Sequence, residues 1–173
     1  MPQVDELVSV LEYQLDWPVQ FATERQRISE ALGDSADDLE HIGSTAVPGL
    51  VAKPTIDIML GIDSWPPSLE LKLGIEGLGY ESLGEAGIPG RQYFRLRSPT
   101  RANLHVVLKA GTHWVNNLAL RDLLRRSRSA RERYAQAKFL ALANGTTSLL
   151  AYSAAKATAV SELLTEALKS RES

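Results

Sequence analysis

The segment from residue 40 to residue 60, EHIGSTAVPGLVAKPTIDIML, constrains the fold of this chain more than any other part. Proline has no backbone donor and glycine favours turn geometry, so the Pro-Gly step at 48–49 predicts a loop or a single helical turn. The run PTIDIMLGI that follows alternates as a strand does, which places Asp57 and Met59 on one face and Ile58 on the other. The segment therefore predicts two strands joined by an irregular turn, with Asp57 on the less aliphatic face.

The patterns on either side of this segment add further strands and helices. The run ELVSVLEY at 6–13 predicts an opening strand, and a helix should follow from about Pro18 to Leu32, with Asp16 as its N-cap. A second helix is predicted over LELKLGIEGLGY. After it we expect three strands, in a half of the sheet that is antiparallel, over Tyr80–Leu83, Gln92–Arg97 and Ala102–Leu108.

From His113 onward the pattern is helical, and Ser and Asn-Gly breaks divide it into three predicted helices. This order of elements predicts an α+β fold, a mixed β-sheet flanked by helices with a C-terminal helical layer. We expect one domain over residues 1–173, with the sheet-containing part over about 1–110 and the C-terminal helices over about 113–171.

Composition excludes several classes of function. The chain has 173 residues and a net charge of −2, which gives no overall electrostatic reason for binding nucleic acid or an anionic membrane. It has no cysteine, so disulfides, thiolate metal ligands and cysteine catalysis are excluded. No apolar run approaches the ~20 residues that span a bilayer, and the first residues do not resemble a signal peptide. We expect a cytoplasmic protein; the sequence does not indicate its oligomeric state.

The small residues before the predicted turn and the acid after it are typical of a phosphate site. Backbone N–H groups in a turn over Gly43, Ser44 and Thr45 can hold phosphate oxygens, and Asp57 on the next strand could hold a divalent cation or activate a hydroxyl. The same pattern is also explained by a tight turn followed by one polar residue at the end of a sheet. The residues alone leave both interpretations open.

The segment EHIGSTAVPGLVAKPTIDIML closely resembles the hallmark segment of the GrpB-like protein family, which belongs to the nucleotidyltransferase fold superfamily. The resemblance extends to later pieces in the family's order, which are YQLDWPVQFATERQRISEALG, GRQYFRLR, NLHVV, LALRDLLR and YSAAKATAVSELL. It implies a nucleotidyltransferase-like sheet and a ligand that is a nucleotide or a phosphorylated small molecule. If the protein is active, the resemblance implies nucleotidyltransferase-like chemistry.

The acidic residues of the superfamily's active signature are incomplete here. That signature has a second acid two residues after the first, where this chain has Met59, and a thioether is a poor ligand for a hard cation. The later strand, which would supply a third acid, has Asn103 and His105 instead. His41 and His105 could converge with Asp57, and this set would suit a transition metal better than Mg²⁺. Ordinary hydrogen bonds from these histidines are the alternative, and the cofactor remains unknown.

Basic residues in and beyond the segment could form the wall of a phosphate site, although solvated side chains explain Lys53 and Arg91 as well. We single out Lys53 at the start of the Asp57 strand, Arg91 in RQYFRLR, and Arg121 and Lys156 in family-like pieces. The run 121–138 has a local net charge of +5, from seven basic and two acidic residues. A solvated helix face explains this run better than nucleic acid, because the run contains one aromatic residue and no recognisable reader motif.

Two functions are consistent with the sequence. In the first, the protein binds a nucleotide or another phosphorylated small molecule through Gly43, Ser44 and Asp57, with or without catalysis. In the second, it is a non-catalytic accessory or protein-interaction module, similar to the domain fused to dephospho-CoA kinase in some bacteria. The missing acids favour the second, and the concentration of polar residues near Asp57 favours ligand binding.

Overall fold

The computed structural model describes residues 7–171 of the chain. Two α-helices and five strands are interspersed up to residue 108, and four α-helices follow within the described residues. The helices are α1 (Trp17–Leu32), α2 (Leu69–Gly77), α3 (Thr112–Arg126), α4 (Arg128–Ala143), α5 (Leu149–Ala155) and α6 (Ala157–Lys169). The strands are β1 (Leu39–Ile42), β2 (Ile56–Ile62), β3 (Glu81–Ser82), β4 (Arg91–Leu96) and β5 (Ala102–Leu108).

Within residues 7–171 the strands form one mixed sheet in the order β1-β2-β5-β4-β3. Strands β2 and β5 run parallel at its centre, and the other neighbouring pairs are antiparallel. A 3₁₀ turn at Ser44–Ala46 follows β1, which agrees with the loop or single helical turn predicted between the two strands. The α+β class, the antiparallel second half of the sheet and the C-terminal helical layer are also confirmed.

The two faces of β2 are covered by different helices. Ile56, Ile58 and Leu60 belong to the main core, together with Trp17 of α1 and Leu71 of α2. On the other face Met59 packs with Ile42 and Val107 against the side chains of Trp114 and Leu118 on α3. Asp57 shares this second face with Met59 but lies nearer the start of the strand, beyond the apolar cluster.

The C-terminal helices have a second apolar core, which includes Leu123 of α3 and Leu163 of α6. Val47 and Leu50, from the loop between β1 and β2, are buried in that core. The loop that follows the Gly43-Ser44 step is therefore held by the helical layer as well as by the sheet. No helix among the described residues is long and apolar enough to cross a membrane.

The predicted opening strand is wrong for residues 7–13, and residue 6 lies outside the described part. This segment makes only two isolated bridges, from Leu7 to Ser148 and from Leu11 to Ala52. Its partners are a loop and the start of a C-terminal helix, so it ties these two regions together rather than extending the sheet. The alternating apolar residues of this segment therefore belong to isolated backbone pairings rather than to a continuous strand of the sheet.

Helix α1 begins one residue before the predicted start, but Asp16 is not its side-chain cap. Asp16 already has helical torsion angles, and its carboxylate instead accepts a hydrogen bond from Gln20 at 2.7 Å. The predicted third C-terminal helix is interrupted at Lys156, where α5 ends and α6 begins. The basic run 121–138 is divided between two helices, because α3 ends at Arg126 and Arg128 starts α4.

Candidate functional site

Asp57 lies directly beside the Gly43-Ser44 step because of the register of β1 and β2. Ile42, the last residue of β1, pairs with Asp57, so the chain turns at Gly43 next to the carboxylate. Gly43 has φ 70°, and a Cβ atom there would lie 2.7 Å from Oδ2 of Asp57. Both the backbone conformation and the close approach exclude a larger residue. The glycine lets the turn pack against the acid.

Two neighbouring side chains of β5 hold the carboxylate of Asp57. Asn103 pairs with Asp57 in the sheet, and its Nδ2 donates to Oδ1 at 2.9 Å. Nε2 of His105 lies 3.3 Å from the same oxygen. Burial by itself would raise the pKa of Asp57, but the hydrogen bond and charge of His105, followed by Lys53 and Asn103, bring it below its ordinary value. Asp57 is therefore a carboxylate at neutral pH.

A pocket of about 110 Å³ opens in front of Asp57, between the sheet and the C-terminal helices. We call it the lysine pocket, and its polar lining includes Gly43, Ser44, Lys53, Asp57, Lys138 and Lys156. Three of these six residues are lysines and one is an acid. The arrangement suits an anion, since cationic side chains outnumber the single carboxylate.

Lys138 of α4 is the most deeply buried of these lysines, with 1% of its surface exposed. Its Nζ donates to Oγ of Ser44 at 2.5 Å and to the carbonyl oxygen of Val51 at 2.6 Å, and it lies over the ring of Tyr134. Burial, reinforced by the charges of Lys156 and Lys53, lowers the pKa of Lys138 to about 6. The amine is therefore largely neutral at pH 7 until an anion favours its charged form.

Lys156 stands at the break between α5 and α6, on the opposite wall of the lysine pocket from the sheet. Its Nζ lies 3.5 Å from the hydroxyl of Tyr134 and above the rings of Tyr134 and Tyr152, at 5.5 and 4.8 Å from their centroids. The rings hold the ammonium group by cation–π attraction while leaving it at the pocket wall. The sequence predicted one continuous helix here. The break between α5 and α6 instead places the ammonium group of Lys156 at the wall of the lysine pocket.

His41 does not join Asp57, so the metal site predicted from Asp57, His41 and His105 is not assembled. In β1, His41 pairs with Ile58 and points to the opposite face of the sheet from Asp57. There it stacks on Phe21 of α1 with ring centroids 4.6 Å apart, and its Nε2 lies 2.9 Å from Oγ1 of Thr45. Burial lowers the pKa of His41 to about 4, with smaller contributions from nearby arginines.

No group of three or more His, Cys, Asp or Glu side chains within residues 7–171 is placed to hold a metal ion. The position of the second acid is occupied by Met59, which is fully buried in the apolar cluster beneath α3. His105, on the neighbouring strand, contacts the ring of Tyr93 rather than another acid. The chain thus offers Asp57 and His105 as adjacent candidate ligands at this position.

The remaining predicted residues lie at different places around the site. Thr45 and Lys53 line the lysine pocket. Arg91 lies outside that lining, where it stacks over Tyr93 and donates to the carbonyl oxygens of Glu85 and Ala86. Arg121 lines a neighbouring, larger cavity; its guanidinium donates to Glu40, Asp122 and the carbonyl oxygen of His41.

Lys138 is the site residue that the sequence analysis missed, because it was counted in a basic run with a solvated face. The signal that could have identified it is helical spacing. Ala130, Tyr134, Lys138 and Ala141 recur at intervals of three or four residues, and all four are buried in α4. Such a stripe faces a core. A lysine within it must reach a polar partner, which here is Ser44.

Comparison with known proteins agrees with this architecture. The family described as GrpB protein matches residues 7–166. A UPF0157 protein of Halalkalibacterium halodurans is 33% identical and aligns over 92% of this chain and 82% of its own length. The crystal structure of the conserved protein GrpB from Enterococcus faecalis superposes with a TM-score of 0.84 at 33% identity, over 95% of this chain and 100% of that one. The Cid1 poly(U) polymerase bound to MgATP gives a TM-score of 0.44 at 12% identity, over 74% of this chain and 45% of that one, which does not establish a shared fold.

Proposed function

The chain belongs to the GrpB family, and we propose that it binds a phosphorylated small molecule, such as a nucleotide, with its phosphates in the lysine pocket. The observation that carries this proposal is the convergence of Lys53, Lys138 and Lys156 with Ser44 on one small cavity. A volume of about 110 Å³ equals the share of roughly three or four water molecules. That space suits phosphate groups, with the rest of the ligand outside it.

The buried amine of Lys138 gives this pocket a specific preference for anions. A lysine that is 1% exposed is costly unless it is neutral or paired, and within the described residues its amine contacts uncharged oxygens and an aromatic ring. A phosphate oxygen would supply the missing negative charge. Ser44 is already within reach of the same amine and can contact the same phosphate, so the turn and the lysine would act together.

Asp57 has a different role in this proposal from that of the lysines. It stays ionised beside the phosphates, held by Asn103 and the neighbouring His105. A lone carboxylate next to phosphates can accept a hydroxyl proton, or hold a cation that the phosphates help to bind. We propose ligand binding as the function and do not extend it to nucleotidyl transfer, because Met59 replaces the second acid. The protein would act in the cytoplasm, where phosphorylated metabolites are made and used.

Calorimetric titration with inorganic pyrophosphate and tripolyphosphate, each with and without Mg²⁺, tests this proposal. We expect binding to the wild-type protein and a loss of at least about tenfold in Lys156→Met, which keeps the side-chain length and removes the charge. Lys72→Met is the matched control, since Lys72 belongs to α2 on the other face of the sheet. A saturating anion at a hundredfold excess should also stabilise the fold by about 2.7 kcal/mol.

The proposal fails if neither these anions nor an organic diphosphate binds the wild-type protein, or if Lys156→Met binds as tightly as Lys72→Met. The second candidate function, a non-catalytic accessory module, is favoured by the buried Met59 and gains support in the first case. A module of that kind would keep its partner when the pocket lysines are replaced. Ligand binding and an accessory role are compatible, and the titration tests only ligand binding.

A further inference from the structure

A cavity larger than the lysine pocket lies directly beside it. It has a volume of about 500 Å³ and lies between α3 and the α5–α6 pair. We call it the chamber. It shares Gly43, Tyr134 and Lys156 with the lysine pocket, so the two cavities adjoin at these residues.

The chemistry of the chamber differs from that of the lysine pocket. Its walls are largely apolar, and they include Leu120 and Leu124 of α3 and Val160 and Leu164 of α6. The volume falls within the range of about 300–1,000 Å³ that is usual for small-molecule sites. Apolar side chains around an open cavity of this size are typical of a ligand site, because soluble proteins rarely leave large apolar surfaces exposed without a function.

The chamber also has a small number of polar groups, as ligand sites do. Asn117 donates its side-chain N–H to the carbonyl oxygen of His113, which orients its amide at the chamber wall. Arg121 is fixed by Glu40 and Asp122, so its position does not depend on the ligand. These groups can orient an organic group, whereas the surrounding leucines and valine provide the apolar contact.

Resting on the proposed function, we infer that the natural ligand carries its phosphates on an apolar or aromatic organic group that occupies the chamber. The phosphates lie among Lys53, Lys138 and Lys156, and the organic group lies between α3 and α6. In this arrangement Lys156 and Tyr134, which line both cavities, would lie beside the bond that joins the phosphates to the organic group. The substrate class is therefore an organic phosphate or diphosphate rather than inorganic phosphate.

The test compares three probes with the same diphosphate: inorganic pyrophosphate, adenosine diphosphate and geranyl diphosphate. Titration of the full chain should give binding of at least one organic diphosphate that is at least about tenfold tighter than that of pyrophosphate. The two organic probes distinguish an aromatic base from an aliphatic chain as the occupant. Adenosine and geraniol, which lack phosphates, should bind at least about tenfold more weakly than their diphosphates.

Two tryptophan substitutions on α6 assign the effect to the chamber. Ser161 is exposed and lines the chamber, so Ser161→Trp should fill it and remove the gain from the organic group, while pyrophosphate binds as before. Glu162→Trp adds the same bulk to the next position, which does not line the chamber, and should behave as the wild type. Circular dichroism of both variants checks that α6 is intact.

The outcomes separate the two proposals. If pyrophosphate binds and the organic diphosphates bind no tighter, or if their gain survives in Ser161→Trp, the inference about the chamber is wrong and the proposed function stands. If adenosine or geraniol binds as tightly as its diphosphate, the chamber is not coupled to the phosphate site and the inference is also wrong. If none of the three diphosphate probes binds, both the proposed function and the inference are wrong.

Discussion

The side chain of Lys138, one of the basic residues of the C-terminal helices, contacts the turn that follows β1. Its neighbours Lys53 and Lys156 repel its charged form, while Ser44 and the carbonyl oxygen of Val51 hold its amine in place. The burial of this lysine lowers its pKa to about 6, from an ordinary value of 10.5. A phosphate bound beside it would reverse that shift, because the opposite charge favours the ammonium form.

Phosphate binding should therefore take up close to one proton above pH ~6. In the free protein Lys138 is protonated below that pH and neutral above it, whereas the bound anion keeps it protonated. The affinity for pyrophosphate should fall by up to about tenfold per pH unit as the pH rises above ~6. Calorimetry in two buffers with different ionisation enthalpies measures the proton uptake directly.

The matched control for this linkage is Lys138→Met, which keeps the length of the side chain and cannot take up a proton. Its affinity for pyrophosphate should be weaker and should lose this component of the pH dependence. Equal proton uptake by the variant and the wild type would show that another group is responsible. Pyrophosphate itself titrates in this range, so the difference between the two proteins, rather than either curve alone, is the quantity to compare.

At the scale of elements, the strand β2 divides its less aliphatic face between a polar end and an apolar end. Asp57 faces the lysine pocket, whereas Met59, two residues further along, lies in the cluster covered by Trp114 of α3. Gly61 continues this face, and a Cβ atom there would lie 2.7 Å from the ring of Trp114. Helix α3 thus packs closely over the position where a second acid would be needed.

Introducing an acid at this position should therefore damage the fold instead of creating a metal site. We expect Met59→Glu to lower the free energy of unfolding by about 3 kcal/mol or more, because the carboxyl group enters a fully buried apolar cluster. Met59→Leu should cost less than about 1.5 kcal/mol. Urea unfolding with and without Mg²⁺ measures both variants.

Rescue of Met59→Glu by Mg²⁺ would contradict this account, since it would mean that the new carboxylate reaches Asp57 and shares a cation with it. An equal, small loss in both variants would also contradict it, because α3 would then tolerate a charge beneath Trp114. The comparison with Met59→Leu separates the effect of polarity from that of a change in packing.

At the scale of the whole molecule, the loop between β1 and β2 packs against both the sheet and the helical layer. Val47 and Leu50 are fully buried against the C-terminal helices, as is the amine of Lys138 that holds this loop through Val51. The lysine pocket lies at this junction. The loop that builds the site belongs to the sheet-containing part predicted over about 1–110, but its packing depends on residues after that part.

A fragment of residues 1–110 should therefore not fold alone. Its loop would expose Val47 and Leu50, and its sheet would expose Met59, all of which lie against later helices in the intact chain. We expect no cooperative unfolding transition in urea and little dispersion in an amide NMR spectrum. The full chain is the control, and addition of residues 111–173 to the fragment should restore part of the signal. A cooperative transition for the fragment alone would contradict this prediction.

The sequence by itself determined the features that depend on local pattern. Alternation placed Asp57 and Met59 on one face of β2, the Pro-Gly step predicted the turn after β1, and the absence of a second acid could be read directly. These features depend on strand and turn geometry over a few residues, so a linear sequence contains them.

The tertiary structure alone decided which other side chains join Asp57 and His105 at the site. Lys138 reaches Ser44 across 94 residues of chain, and the break that positions Lys156 has no glycine or proline to mark it. His41 was placed on the far face by the register of β1 against β2, which pairs it with Ile58. Such contacts depend on how distant elements pack and on strand register, and neither is set by any short stretch of sequence.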